Sequence, residues 1–251
     1  MRRCVPCHAG ALVTAAALSC IMWTMVRRSV CKRGTPPGSL FKVSNAERDP
    51  GAERIGVFAF RDGPNAEPAH LRLLDQSALV PIGSQPIHLV HVQGLPHGGV
   101  WMFIVDSGGR LLVLKRAASL RTCANKWGLL GEHQWAGESP HVLADRAVDE
   151  ELGPQLRQFV IASHNLTAGP VWYRRDYADG RIDRQATWLW AMLLAIPAEQ
   201  VQLAPDAEVA EYRWVSTTQI ADWVKKSPSD FCHSTIVSLL DLAITRLRLV
   251  L

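Results

Sequence analysis

The chain has 251 residues, enough for one well-buried domain of about 150 to 200 residues and an appendage. Hydrophobic residues at 48% and charged residues at 20% are typical of a globular protein and exclude a disordered one. The net charge of +4 arises in residues 1–46, which hold seven Lys or Arg and no acid. The rest of the chain has 20 basic and 23 acidic residues, a balance of −3. A mildly acidic body does not indicate nucleic-acid binding.

Residues 1–46 have the composition of a targeting or anchoring leader. The 18 residues from 9 to 26 carry no charge, a length between that of a signal-peptide core and that of a short membrane span. Basic residues flank this run on both sides, so the charge rule leaves its orientation open. We expect membrane association or organelle targeting through the leader, as a cleaved secretory signal, an uncleaved anchor or a mitochondrial presequence.

The six cysteines divide between the leader and the body. Cys4, Cys7 and His8 have the CxxCH spacing of haem attachment, but they precede the apolar run, far from any predicted helix of the body, and no haem is expected. Cys123 and Cys232 are the only cysteines of the body, and they do not indicate a disulfide framework.

The local pattern predicts a strand, a helix and a hairpin in the first half of the body. In the extension, residues 47–84, an apolar run at 55–60 predicts a strand, and 71–79 is predicted as a helix. Apolar runs at 100–105 and 111–115 around a Gly-Gly turn predict a hairpin.

Later elements alternate between strands and helices. Strands are predicted at 159–163, 171–177, 187–196 and 212–215, and helices at 220–226 and 234–251. Strands separated by helices indicate an α/β fold in which helices cover both faces of a mixed sheet. We therefore expect a main domain at 85–232 and a C-terminal helical segment at 233–251.

A glycine-punctuated loop and an acid-rich helix occupy residues 131–153. Ser139 and Pro140 are strong helix-start residues, and the helix is predicted to end at Gly153. An apolar stripe recurs every fourth residue, while the acids point away from it. The stripe consists of Ala144, Val148 and Leu152. Arg146, Glu150 and Glu151 point away from it, and the loop places Glu138 beside the helix. Carboxylates are hard oxygen ligands that suit Mg²⁺ or Mn²⁺ holding a diphosphate.

This stretch resembles the Nudix box, which is Gly, five residues, Glu, seven residues, then Arg-Glu-aliphatic-any-Glu-Glu-any-Gly. The matching positions are Glu138, Arg146, Val148, Glu150, Glu151 and Gly153. Two positions depart: Glu132 stands where the first glycine belongs, and Ala147 replaces the Glu after the Arg. The resemblance implies a Nudix α/β/α sandwich with a mixed sheet.

The same resemblance implies metal-dependent hydrolysis of a small-molecule diphosphate, such as a nucleoside diphosphate derivative. Glu150 and Glu151 would bind Mg²⁺ or Mn²⁺, Arg146 would orient an acid, and Glu138 would support the loop and the metal. Asp183 would replace the missing base, because Gln185 stands where the family commonly has an acid in the loop 179–185. The basic residues that would meet phosphate are Lys115, Arg116, Arg174 and Arg181.

The chain is also similar to the isopentenyl diphosphate isomerases, a branch of the Nudix superfamily. Isomerases hold a metal through His and Glu side chains, and His97 and His133 look like two of the ligands, Glu151 like a third and His91 like a looser one. Gly131 and Gln185 stand where a catalytic Cys and Glu are expected. A domain that binds its ligand without turnover is the third alternative.

Overall fold

The computed structural model describes residues 53–205, 207–232 and 234–247. The leader and its apolar run lie outside this part of the chain. No helix among the described residues combines the length and the apolar composition needed to span a membrane.

Eleven strands lie in one sheet of the described chain. They are β1 Arg54–Phe60, β2 Arg72–Leu73, β3 Leu79–Pro86, β4 Pro96–Val105, β5 Arg110–Arg116, β6 Trp127–Gly128, β7 Leu130–His133, β8 Val160–Asn165, β9 Val171–Asp176, β10 Ile182–Leu194 and β11 Val209–Ser216. The longest path through the sheet is β11-β5-β4-β10-β9-β2, and β1, β3, β6, β7 and β8 pair along its sides. β4 and β10 are parallel and the other paired strands are antiparallel, so the predicted mixed sheet is confirmed.

Four α-helices accompany the sheet in the described chain. They are α1 Ile87–Gln93, α2 Pro140–Glu151, α3 Thr217–Lys226 and α4 Ser234–Leu247. Alternate residues of β4 divide the core: Val100 and Met102 pack with α2, whereas Trp101 and Phe103 pack with α3 and α4. Because side chains of a strand alternate between faces, helices cover both faces of the sheet, and the predicted α/β/α arrangement is confirmed.

α2 begins and ends as its sequence predicts. The Ser139 hydroxyl accepts a hydrogen bond from Val142 N at 3.4 Å, Pro140 is the first helical residue, and Gly153 leaves the helix at φ 94°. The apolar stripe at Ala144, Val148 and Leu152 is fully buried. Local capping and one buried stripe therefore fix this helix.

Two local predictions were wrong. Residues 71–79 are not a helix: β2 pairs with β9, Asp75 caps a 3-10 turn at Gln76–Ala78, and β3 follows. Pairing with β9 outweighs the weak helical signal of this segment. The stretch around Asp183 and Gln185 is not a loop either, because both residues lie within β10, beyond the predicted turn at 178–180.

Candidate metal centre

Three strand ends meet at one edge of the sheet. β4 and β10 run parallel, so His97 and Asp183, each the second residue of its strand, lie at the same end. β7 runs antiparallel to β4, which brings its last residue, His133, to that end as well. His91 comes from α1, and Gly94 at φ 60° then turns the chain into β4. The topology thus gathers four side chains that are distant along the sequence.

The three histidines form a nearly equilateral triangle. The ring centroids are 5.2 Å apart for His91 and His97, 5.4 Å for His91 and His133, and 5.3 Å for His97 and His133. One nitrogen from each ring lies within 4.8 Å of the others. Asp183 adds a carboxylate, with its Oδ1 3.3 Å from His97 Nε2. Three nitrogens and an oxygen at this spacing are a donor set that could hold a divalent metal ion.

Three polar atoms of this cluster are buried without a hydrogen-bond partner, namely His91 Nε2, His97 Nε2 and Asp183 Oδ1. Buried polar atoms in native proteins are normally paired, because an unpaired one costs about 1–3 kcal/mol. On His97 the other nitrogen, Nδ1, lies 3.0 Å from the Leu95 carbonyl oxygen, which can only accept, so Nδ1 carries the hydrogen. When this ring is neutral, its Nε2 lone pair faces the cluster, as in histidines that bind metal.

The protonation states also suit a cation. Burial and the neighbouring imidazoles lower the pKa of His91 to about 4 and that of His133 to about 3, so both rings are neutral at pH 7. Burial acts to raise the pKa of Asp183, but His97 and the other histidines hold it well below its usual range. The cluster therefore combines the neutral rings of His91 and His133 with a carboxyl group of low pKa.

Tyr173 supports this carboxylate from β9. Its hydroxyl lies 3.0 Å from Asp183 Oδ2 and also contacts Gln185 Oε1. Burial and the nearby Asp183 raise the pKa of Tyr173 well above its usual value, so the hydroxyl stays protonated and donates. No pattern in the sequence indicates this tyrosine, because its role depends on the pairing of β9 with β10.

Arg146 ties the acids of α2 to the loop before it. Its guanidinium donates to both Glu138 oxygens at 2.9 and 3.0 Å, to Glu150 Oε2 at 3.0 Å and to the His133 carbonyl at 2.6 Å. The same group lies 4.0 Å from the centre of the Trp135 ring. Arg146 therefore holds the carboxylates of Glu138 and Glu150 together, and it also fixes the backbone at His133.

Glu132 adds a carboxylate beside this network. Its Oε1 accepts from His133 N at 2.8 Å and lies 3.6 Å from Arg146 Nη1. The side chain is only 10% exposed. Burial raises the pKa of Glu132 to about 7 against the attraction of Arg146, and Glu53 and Glu150 add smaller contributions in the same direction as burial. The sequence marked this position only as a departure from the glycine of the box.

Glu151 lies apart from Glu150. It lines a small cavity with Lys115, Arg116 and Glu208, next to Gly131. Lys115 is 3.7 Å from Glu211, and Arg116 is 3.9 Å from Glu208, distances typical of weak surface ion pairs. The structure thus brings one predicted metal ligand together with two predicted phosphate-binding residues.

The other two predicted phosphate-binding residues are held by acids. Arg174 is 44% exposed and contacts Asp176 and Glu67 at 3.1 and 3.6 Å. Arg181 contacts Asp179 at 2.9 Å and lies 5.0 Å from the ring centre of Tyr177. Neither arginine lines the cavity of Glu151.

The three positions that depart from the Nudix and isomerase patterns are all closely packed. Ala147 is fully buried in the core under α2. At Gly131 a Cβ atom would lie 2.9 Å from Trp101 Cδ1, closer than real Cβ contacts, so Trp101 excludes a cysteine there. Gln185 is buried in β10 beside Tyr173.

A disulfide joins Cys123 to Cys232, with their Cα atoms 5.0 Å apart. The expectation that these cysteines form no framework was wrong. They lie 109 residues apart along the chain, so no local pattern signals the bond. It ties the loop after β5 to the start of the C-terminal helix.

A larger cavity of about 380 Å³ lies beside the loop before α2. Trp135, Trp188 and Phe58 contribute apolar and aromatic surface, and Glu138 and Gln134 contribute polar groups. Its size and composition are those of a small-molecule pocket.

Residues 95–233, more than half of the chain, match the sequence profile of the NUDIX domain. The chain belongs to the Nudix family. The Nudix chain is similar to the isopentenyl-diphosphate Delta-isomerase of Serratia proteamaculans, with 30% identity over 152 residues, 60% of this chain and 78% of that protein. For the isomerase of the same name from Streptomyces avermitilis the identity is 27% over 175 residues, 68% of this chain and 83% of that protein.

Solved structures include similar folds. The MutT protein of Methanosarcina mazei has 20% identity and a TM-score of 0.44, and the match covers 60% of this chain and 94% of that chain. The predicted resemblance to the Nudix superfamily and to its isomerase-like branch is confirmed by the domain match and by the curated relatives.

Proposed function

We propose that this Nudix protein hydrolyses a small organic diphosphate with a divalent cation held by His91, His97, His133 and Asp183. The observation that supports this proposal most is a set of three buried, unpaired ligand atoms between α1 and the strand ends, namely His91 Nε2, His97 Nε2 and Asp183 Oδ1. The residues fit the ion, because neutral imidazoles and an ionised carboxylate are the donors that divalent metals require.

The donor set also bears on the choice of ion. Imidazole nitrogens favour transition metals such as Zn²⁺, the carboxylate of Asp183 also suits Mn²⁺, and Mg²⁺ prefers a shell of oxygen ligands. We propose Mn²⁺ or a similar ion at the histidines and Mg²⁺ with the diphosphate near Glu151. A bound cation supplies charge stabilisation to the diphosphate and lowers the pKa of water.

The side chains of the protein position these groups. Lys115 and Arg116 bind diphosphate oxygens at the cavity of Glu151, where both are only partly engaged with acids. Tyr173 holds Asp183 in place, and Arg146 holds His133 through its carbonyl. The cavity beside Glu138 has room for the organic group of the substrate.

Isomerisation of a double bond is the second candidate, and the names of the curated relatives favour it. Such a reaction needs an acid and a base to move a proton on carbon. Gly131 and Gln185 supply neither, and Trp101 occupies the space that a larger side chain at 131 would need. Hydrolysis needs only a water molecule in addition to the groups present, and for that reason we rank it first.

The test uses the full chain loaded with Mn²⁺ and supplemented with Mg²⁺, assayed against isopentenyl diphosphate and nucleoside diphosphate derivatives. Phosphate or nucleotide release and proton NMR of the alkene are measured together. We expect release that His97→Ala abolishes and that His141→Ala, an exposed histidine, leaves intact. Alkene migration without release would support isomerisation, and metal binding without any product would establish a binding protein.

We also propose that the leader directs the domain to an oxidising compartment. The Cys123–Cys232 disulfide supports this, because such bonds persist in secretory or other oxidising environments and are rare in reducing ones. This favours a secretory signal or anchor over import into a reducing organelle interior.

A further inference from the structure

Arg175 lies beside the candidate metal centre, on the same face of the sheet. In the antiparallel pair of β9 and β10 it is directly opposite Asp183. Side chains of directly opposed residues project from the same face, with their Cβ atoms about 4.5–5.5 Å apart. Tyr173, two residues earlier on β9, also contacts Asp183, as expected for side chains that share one face. The side chain of Arg175 therefore begins next to the carboxylate of the proposed centre.

The guanidinium group of Arg175 contacts only neutral groups in the described part of the chain. Its Nη1 lies 3.4 Å from the Cys232 carbonyl oxygen and 3.7 Å from Cys123 Sγ. The group also lies 4.7 Å from the centre of the Tyr177 ring. Among the described residues no carboxylate lies within ion-pair distance of it, although the side chain is partly buried. A partly buried cation without a counter-ion is costly, so this group gains free energy when an anion binds to it.

Arg181 is held differently. It lies over the same Tyr177 ring, 5.0 Å from the centre, but Asp179 neutralises its charge at 2.9 Å. A guanidinium group that already bonds a carboxylate must give up a charged partner before it can bind phosphate, whereas Arg175 gives up only neutral contacts. Of the two arginines on this ring, Arg175 is therefore the one suited to an anionic ligand.

The disulfide fixes the place of Arg175. Cys123 and Cys232, which both contact its Nη1, are joined covalently. Arg116 reaches the same loop, because its Nε donates to the Thr122 carbonyl at 3.1 Å. The two arginines thus contact consecutive residues, so Arg175 lies next to the metal centre through β10 and next to Arg116 through this loop. A guanidinium group that is held in advance loses little conformational entropy when it binds a ligand.

We infer that Arg175 binds phosphate oxygens of the substrate, so that the metal centre, Arg116 and Arg175 hold one diphosphate together. The planar guanidinium group can donate two parallel N–H bonds to a phosphate group. The Nudix box ends at Gly153, well before β9, so the family pattern quoted above does not mark this position. This inference rests on the proposed function, because its ligand is the diphosphate that the metal centre would hold.

The test uses the full chain loaded with Mn²⁺ and titrated calorimetrically with methylene diphosphonate, a diphosphate analogue that cannot be hydrolysed. We expect Arg175→Gln to weaken binding by about 10- to 100-fold, the effect of losing a hydrogen bond between charged groups. Arg175→Lys should recover part of the affinity, because it keeps the charge and loses the planar fork. Arg157→Gln is the matched control and should bind like the wild type, because Arg157 is 44% exposed and paired with Asp145 and Asp149.

Three further measurements separate ligand binding from a structural role of Arg175. They are the manganese content per chain, the number of free thiols and the melting temperature of each variant without ligand. We expect all three to be the same in Arg175→Gln and in the wild type. Weaker binding that is accompanied by lost manganese, an opened disulfide or a lower melting temperature would assign Arg175 a structural role and overturn the inference.

The same titrations, combined with the product-release assay, separate this inference from the proposed function. Equal affinity in the wild type and Arg175→Gln, with product release by the wild type, overturns the role of Arg175 and leaves hydrolysis standing. If the wild type binds the analogue through Arg175 but releases no product from any diphosphate, hydrolysis is overturned and the phosphate contact stands. If the wild type binds no analogue and releases no product, both fail.

Discussion

Glu132→Gln should change the pH dependence of stability in the metal-free protein. Burial raises the pKa of Glu132 from its ordinary value of 4.5 to about 7. Between these two values the folded state binds more protons than the unfolded state, so the free energy of unfolding falls as pH rises. The carboxylate is therefore tolerated at pH 5, where the folded state is protonated, and destabilising at pH 8.

The magnitude follows from the same two values. Each pKa unit corresponds to about 1.4 kcal/mol, so above pH 7 the ionised Glu132 costs the fold about 3 kcal/mol. Glutamine has the same shape and no charge, and it removes this cost. We expect the stability of Glu132→Gln relative to wild type to improve by about 2 kcal/mol between pH 5 and pH 8.

The assay is urea unfolding of both proteins in a metal chelator at pH 5, 6, 7 and 8. The neutral histidines His91 and His133 also make stability depend on pH, because their lowered pKa values cause a loss of stability below about pH 6.5. This term is common to both proteins and cancels in the difference. The difference in free energy of unfolding between the two proteins could instead stay constant with pH, or favour the wild type increasingly as pH rises. Either result would refute a buried Glu132 carboxyl group with a raised pKa.

Two further predictions concern stability. Reduction of the Cys123–Cys232 disulfide, or Cys123→Ser, should lower the free energy of unfolding by about 4–5 kcal/mol, because the bond closes a long loop, and a reducing-agent titration of the thermal melt checks it. Gly131→Ala should cost about 1–3 kcal/mol in urea unfolding, because its Cβ meets Trp101, and Trp101→Phe in the same background should recover part of the loss. A melting temperature that does not change with reductant would contradict the stabilising role of the disulfide. An unchanged free energy of unfolding in Gly131→Ala would contradict the close approach of Trp101 to residue 131.

The parts predicted correctly from sequence depend on local interactions. α2 follows from Ser139, Pro140 and the terminal Gly153, which act within one helical turn of the helix ends. The hairpin of β4 and β5 follows from two apolar runs and a turn in which Gly109 has φ 75°. The family pattern itself is a local spacing of residues, and the NUDIX match confirms it.

The parts that the sequence did not predict depend on distant pairing. Tyr173 is not a candidate, because its place depends on the pairing of β9 with β10, and His91 is only a loose candidate, because it lies on α1 and not on a strand. The disulfide joins residues 109 positions apart. The wrong helix at 71–79 has the same cause, since β2 is short and gains its hydrogen bonds from β9. Local propensity carries no information on such contacts.

The arrangement of charges indicates that residues of the Nudix box support the backbone of β7. Glu138 and Glu150 are bonded to Arg146, and Arg146 in turn bonds the carbonyl of His133. A carboxylate engaged with a guanidinium is a weaker metal ligand, because the cation must displace a charged partner. In this chain the loop and helix of the box therefore hold the end of β7 in place, while the proposed metal-binding side chains lie at the strand ends and on α1. The retained box pattern and the missing acid at Ala147 are then consistent, since this support needs the arginine and its two partners but not a third acid.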